Sequence, residues 1–174
     1  MKRLIVIPLA LVIFLSSAIA VAQPGTTTLT GASSLSFSGT VATVQISGTF
    51  DGHLGEGTFA GTLVAGTPFS SASCFGPVCQ PVTGQITFSS KRGDFTAVVE
   101  PGSLLTYSSF HPRNESRFFT LTLEVVSGTR SYKHADGVLT LDYTIHENRF
   151  FDEDSGQFVI LRSESGTLTG NPRK

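Results

Sequence analysis

The chain has 174 residues, 40% of them hydrophobic, with 12 Lys and Arg against 13 Asp and Glu and a formal charge of -1. That balance, without any basic stripe, excludes nucleic acid and anionic membrane as electrostatic partners. A chain near 150 residues buries roughly 70% of its unfolded surface, so folding requires neither a metal nor a dense disulfide framework.

The N-terminus has the three-part layout of a secretory signal. Lys2 and Arg3 precede an apolar run from Leu4 to Leu15 broken only by Pro8, and small residues end at Ala20-Val21-Ala22. A spanning helix is the competing reading. The apolar stretch is barely long enough for one, and Gln23-Pro24-Gly25 with a Thr-rich run follows it in place of a basic stop-transfer cluster. Cleavage after Ala22 would leave 152 of the 174 residues, with 10 basic and 13 acidic side chains and a charge of -3. The expected product is a single secreted or periplasmic domain, 23–174, with no membrane segment after cleavage. No Cys lies near the cleavage site to carry a lipid.

The remainder is rich in Thr, Ser, Gly, Val and Phe and alternates apolar with polar residues at strand length. Strands are predicted over 34–37, 40–50, 57–65, 85–89, 95–100, 118–126, 138–146 and 158–169. The clearest is Phe118 to Val126, where Phe119, Leu121, Leu123 and Val125 share one face and Thr120, Thr122 and Glu124 the other. In Val138 to His146, Leu139, Leu141, Tyr143 and Ile145 lie opposite Thr140, Asp142, Thr144 and His146. Turn chemistry at Asp51-Gly52, Lys91-Arg92-Gly93-Asp94, Ala135-Asp136-Gly137 and Asp154-Ser155-Gly156 makes hairpins between neighbours the economical topology. Two connections are expected to be long, Gly66 to Val82 and Pro101 to Arg117.

Cys74 and Cys79 flank Phe-Gly-Pro-Val, and Gly76-Pro77 supplies a turn that brings their sulfurs together. In an oxidising compartment they should be bonded, as a staple on a local loop. A redox-active pair is the alternative, but the spacing is not C-x-x-C.

Eight antiparallel strands in meander order close into an up-and-down barrel or split into a sandwich. Gly48, Gly61 and Gly166 within strands suit the coiling of a small barrel, which is the expected fold. An immunoglobulin-like sandwich would ordinarily carry a buried Trp and distant cysteines, whereas this chain has no Trp.

Gly128-Thr129-Arg130-Ser131-Tyr132-Lys133-His134-Ala135-Asp136-Gly137 resembles the Gly-Thr-Gly-x-Phe-x-x-Ala-x-Gly hairpin of small secreted bacterial β-barrel proteins. More distantly it resembles the allene oxide cyclase and dirigent families. Further matches follow in order, among them Gly57-Thr58-Phe59-Ala60-Gly61, Thr83-Gly84-Gln85-Ile86-Thr87-Phe88 and Ser165-Gly166-Thr167-Leu168-Thr169-Gly170. The resemblance implies a barrel and, from the cyclase and dirigent relatives, a cavity for hydrophobic ligands or reactive intermediates. Relatives of this kind form dimers or trimers, so oligomerisation is open. Arg130 stands where the pattern has its second Gly, and a positive φ there would be strained.

Motifs for serine hydrolases, zinc enzymes and phosphate loops are absent, and no cofactor is expected. His53 with Glu56, and Asp152-Glu153-Asp154, are too few for a metal site and read better as solvated turns. Asn114-Glu115-Ser116 is a glycosylation sequon. If the polar faces of the two clearest strands line the barrel, Glu124, Asp142 and His146 converge there, as a proton-transferring isomerase would need. Arg162 and Glu164 would join them or pair with each other, and Phe110, His111 and Arg113 would form a lid. The candidate ligand contacts are Tyr143, Arg162 and Phe110. If those faces meet water, the Leu and Phe faces fill the lumen, the commoner arrangement in small eight-stranded barrels. The expected function is a non-enzymatic barrel that binds a small hydrophobic ligand or serves as an extracellular interaction module. A cofactor-independent cyclase or isomerase is the alternative.

Overall fold

In the computed structural model, residues 25–70, 74, 78–107, 114–152, 157–170 and 172 are described. The expected signal segment, the Asp154-Ser155-Gly156 turn, and Phe110, His111 and Arg113 lie outside them. Among the described residues nine strands form: β1 Thr26–Ser38, β2 Val41–Gly52, β3 Gly57–Ala65, β4 Cys79–Ser90, β5 Gly93–Val99, β6 Leu104–Tyr107, β7 Asn114–Gly128, β8 Val138–Asp152 and β9 Gln157–Thr169. All pairings are antiparallel, and β3 bonds to β4 as well as to β2 while β1 bonds to β9, which closes the sheet. The result is an eight-stranded antiparallel barrel with one extra strand.

The extra strand comes from an interruption. Both β5 and β6 pair with β4 on one side and β7 on the other, so they lie end to end in one position of the barrel. Between Val99 and Leu104 the chain inserts a turn at Pro101-Gly102, and Ser103 fills the gap it leaves. The Ser103 hydroxyl accepts from the Thr122 amide at 3.0 Å, and the Ser103 carbonyl accepts from Val82 at 3.0 Å. This strand was expected as part of a long loop, as was Cys79–Val82, which opens β4. A four-residue strand carries too little alternation to be seen, and Pro81 lacks the donor that marks a strand interior.

The apolar faces point inward. Phe119, Leu121, Leu123 and Val125 of β7 and Leu139, Leu141, Tyr143 and Ile145 of β8 are buried, joined by Val44, Ile46, Leu63, Ile86, Phe88 and Phe95. Each such side chain contributes about 1.5–3 kcal/mol of burial, so this filling is what holds the barrel together. One end is closed by aromatic rings. Phe88 stacks on Phe95 at 4.9 Å, Phe50 meets Phe88 edge-on at 5.8 Å, and Phe95 contacts Tyr132 at 5.0 Å. Tyr132 comes from the connection between β7 and β8, and its hydroxyl donates to the Leu54 carbonyl at 3.3 Å.

Arg130 begins the short 3-10 turn that delivers Tyr132, and it is the one non-glycine residue of positive φ among those described, at 48°. Arg130 therefore carries the strain of a left-handed backbone that glycine would avoid. The turn is held by Thr129 donating to Asp94 at 2.8 Å and Ser131 to Arg92 at 3.1 Å, across the neighbouring β4–β5 hairpin.

Glycines inside strands make room for rings as well as bending the sheet. A Cβ on Gly31 would lie 2.6 Å from the Tyr143 hydroxyl and 2.9 Å from Phe59, and one on Gly166 would lie 2.6 Å from the Tyr143 ring. Tyr143 thus crosses the lumen over two backbones that carry no side chain.

Candidate functional site

The inward alternation of β7, β8 and β9 continues past the last hydrocarbon residue into charge. On β7, Arg117 and Glu115 follow Phe119 towards the strand start. On β8, Glu147 and Arg149 follow Ile145, and on β9 Glu164 and Arg162 follow Leu168 and Gly166. Strand register brings these positions to the same end of the barrel, opposite the aromatic plug. Arg117 pairs with Ile145, Glu115 with Glu147, and Glu147 with Arg162.

Three arginines, Arg117, Arg149 and Arg162, and two glutamates, Glu115 and Glu147, therefore form one layer across the mouth. Glu147 is 3% exposed and receives Arg117 at 3.4 Å, Arg149 at 3.0 Å and a short contact from Arg162. Glu115 receives Arg117 at 2.8 Å and Arg149 at 3.6 Å. Burial by itself would push the Glu147 carboxyl up, but hydrogen bonds from Arg149 and Arg162 and the charges of Arg117 and Arg162 outweigh it and hold the pKa below the ordinary range. Glu147 is thus kept ionised, with the charge-assisted bonds that make its burial tolerable.

Below this layer lies Glu164. Its carboxylate accepts from the Ser33 amide at 2.8 Å, the Ser33 hydroxyl at 2.7 Å and the Tyr143 hydroxyl at 2.9 Å. Burial, together with the hydrogen bond and charge of Glu164, pushes the Tyr143 pKa well above that of a free phenol, so Tyr143 stays a neutral donor. On the opposite side of the mouth, Tyr107 donates to Gln80 at 2.7 Å, and Gln80 donates to the Gly66 carbonyl at 2.8 Å.

The seam between β1 and β9 gives this end its special character. The ladder between them runs from Thr26 with Thr169 to Thr30 with Ser165 and then stops, although β1 continues to Ser38. Ser33 lies beyond that point, and side chains satisfy its backbone: Glu164 takes its N–H, and Arg162 donates to its carbonyl at 2.7 Å. The strands part at the mouth, and two charged residues bridge the gap.

Of the residues singled out from sequence, Tyr143 and Arg162 meet here through Glu164, which is 3.9 Å from Arg162. Glu124, Asp142 and His146 do not. All three are exposed on the outer wall. Glu124 stands opposite Val138, and His146 opposite Ser116, eight residues from Glu124 along β7. At about 3.3 Å per residue that is roughly 27 Å, so no substrate bridges the set and the converging acids expected of an isomerase are not assembled. Asp142 lies between Thr120 and Thr167 on the outer face. Glu124 instead approaches Glu100, whose pKa is raised, first by the hydrogen bond between the two carboxyls and then by desolvation and their repulsion. His146 Nδ1 lies 2.7 Å from the Ser116 hydroxyl, with Phe118 edge-on to its ring at 6.3 Å.

Cys74 and Cys79 are disulfide-bonded, with Cys79 buried and within 3.6 Å of the Thr106 hydroxyl on β6. The bond ties the β3–β4 connection to the mouth end of β4. Among the described residues, no three His, Cys, Asp or Glu side chains come together in a metal-binding group, and no helix is long and apolar enough to cross a membrane.

Arg117, Glu147, Glu115 and Arg149 were not singled out from the sequence. The signal was there in their parity, two and four residues beyond the last buried apolar position on each strand. Charge at an inward position reads locally as the end of a strand. Compared with protein-family models, curated proteins and solved structures, the chain finds no match.

Proposed function

We propose that this is a non-enzymatic binding barrel, exported from the cell, that takes a small, largely apolar molecule by its polar end at the charged mouth. The observation that carries the reading is the parted β1–β9 seam, where Ser33 backbone groups are held by Glu164 and Arg162 in place of a strand. A ligand carboxylate or hydroxyl can substitute for such side-chain partners, and it cannot so easily displace a paired strand. Arg162 and Arg149, with side chains 31% and 43% exposed, offer guanidinium donors at the rim, while Tyr143 offers a neutral hydroxyl beneath.

Binding at the mouth is favoured over binding deep in the lumen because Leu121, Leu141, Phe119 and Phe88 already occupy the centre. The same filling, with Glu124, Asp142 and His146 on the outer wall, weighs against the cyclase or isomerase reading. The disulfide supports an oxidising compartment, as the N-terminal secretory pattern does. The closed barrel accords with a distant kinship to the allene oxide cyclase and dirigent barrels, which remains part of the proposal.

The test is native mass spectrometry of the exported protein, alone and after exposure to mixed lipids and terpenoids. The expected result is a one-to-one adduct that weakens at least tenfold in Arg162→Ala. Absence of any adduct, or an adduct indifferent to Arg162→Ala and Tyr143→Phe, overturns the proposal.

A further inference from the structure

Charge is distributed unequally around the barrel. Residues 25–90, which supply β1 to β4, contain two formally charged side chains, Asp51 and Glu56. The outer face of these four strands is built from hydroxyls, amides and small residues. Register aligns Thr30 with Thr49, Thr49 with Thr58 and Thr58 with Ser89 across the strands. The next rows align Ser47 with Ala60 and Thr87, then Gln45 with Thr62 and Gln85.

Two shallow grooves lie diagonally adjacent on this wall. One, of about 600 Å³, runs over Thr28, Thr30, Thr49 and Asp51 to Glu56 and Gly57. The other, of about 380 Å³, has Ala60 and Gly61 as its floor and Gln45, Thr62, Gln85 and Thr87 along its sides. The polar groups of the second groove are held in place. Thr62 donates to the Gln45 amide oxygen at 2.7 Å, and Thr87 and Thr96 share a hydrogen bond at 3.0 Å.

We propose that this wall binds a neutral polysaccharide. The chemistry of the surface decides among partners. Nucleic acid, anionic lipid and acidic glycans require cations, and these four strands have none. Protein interfaces are enriched in aromatic, Met and Arg anchors at their centre. Among the described residues the large exposed hydrophobic side chains are Phe69, Phe118, Val126 and Val138, none of them on β1 to β4. What the wall offers is a run of neutral donors and acceptors along two adjacent troughs, with Asp51 and Glu56 the carboxylates at one end of the first, which matches a neutral polymer bearing hydroxyls at short intervals. This site is separate from the mouth and stands whether or not a small molecule binds there.

Affinity electrophoresis tests it, with native gels containing hydroxyethylcellulose, soluble starch or galactomannan, and alginate as the anionic comparison. The folded protein is expected to be retarded in at least one neutral gel and not in alginate. Gln45→Ala with Gln85→Ala, both exposed and neutral, should weaken that retardation at least tenfold without altering the circular-dichroism spectrum. Asp142→Asn, on another part of the wall, should retain it. The proposal is overturned by mobility unaffected in every neutral gel, by retardation in alginate alone, or by retardation that survives the double substitution. A dimer in sedimentation velocity that the double substitution dissolves would assign the wall to a second copy of the chain and overturn it equally.

Discussion

The half of the barrel made by β1 to β4 and the half made by β5 to β9 bury similar hydrocarbon but differ in charge. The first half carries Asp51 and Glu56 and is otherwise neutral, whereas the second contains every residue of the charged mouth. Thr, with its branched Cβ, satisfies an exposed strand position without a charge, so the outer wall places no demand for one. Charge appears inward only where the lumen meets water and where a strand seam has parted. The difference teaches that folding rests on the inward alternation common to both halves, while response to pH and salt belongs to the second.

The largest effect should come from the shared hydrocarbon. Phe88→Ala, in β4 among Phe50, Phe59 and Phe95, is expected to cost about 3–5 kcal/mol in urea unfolding, and the cost should be the same at pH 5 and pH 8. A strongly pH-dependent cost would show that the halves are not separable.

Glu147→Gln should come next, at about 2–4 kcal/mol near neutral pH, because it leaves Arg117 buried with half its partners. Its sign with pH follows from the depressed Glu147 pKa. The native carboxylate stabilises the fold above the unfolded value of about 4.3, and that contribution is lost as pH falls through the lower folded value. Thermal unfolding of the parent should therefore drop between about pH 5 and 2, and the variant should show a shallower decline. An identical acid limb would remove Glu147 from the account.

Tyr143→Phe is expected to cost about 1–2 kcal/mol, since Glu164 keeps its Ser33 partners. Tyr143 has a raised folded pKa, so its contribution is present below about pH 10, the unfolded value, and is lost as pH climbs through the folded one. Replacing it should blunt alkaline unfolding, and unchanged loss of structure above pH 10 would contradict this.

Arg130→Gly should have the smallest effect and the opposite sign. Relief of the left-handed backbone is worth about 1–2 kcal/mol, and the entropy lost by Gly offsets about 0.5–1 of it. A net gain below about 1 kcal/mol would raise the melting temperature by roughly 2–4 °C at most. A fall would show that the Arg130 side chain contributes more than its backbone costs.

Legibility along the chain followed the number of inward apolar residues. β7 and β8 present four each in sequence, and both were readable as strands with an apolar and a polar face. β1 was read only from Ser34, although it starts at Thr26. Its inward positions there are Thr27, Leu29, Gly31 and Ser33, of which one is apolar, because Tyr143 from β8 occupies the space above Gly31. The partner that makes Gly31 an interior residue lies more than a hundred positions away, beyond any local pattern. Arg117, Glu115, Glu147 and Arg149 of the mouth were missed for a related reason, since they form one network only once β7, β8 and β9 align.

By itself, then, the sequence determined the strand class and made the antiparallel barrel and the cysteine pair the expected arrangement, since these follow from residue chemistry over a few neighbours, whereas the strain expected at Arg130 came from the resemblance. Tertiary structure decided which face turned inward, that Glu124 and His146 stand on the outer wall while Arg162 and Tyr143 share the mouth, and that β5 and β6 occupy one place. The reason is geometric. A strand's two-residue period says which side chains lie together, but only closure and register say what they face.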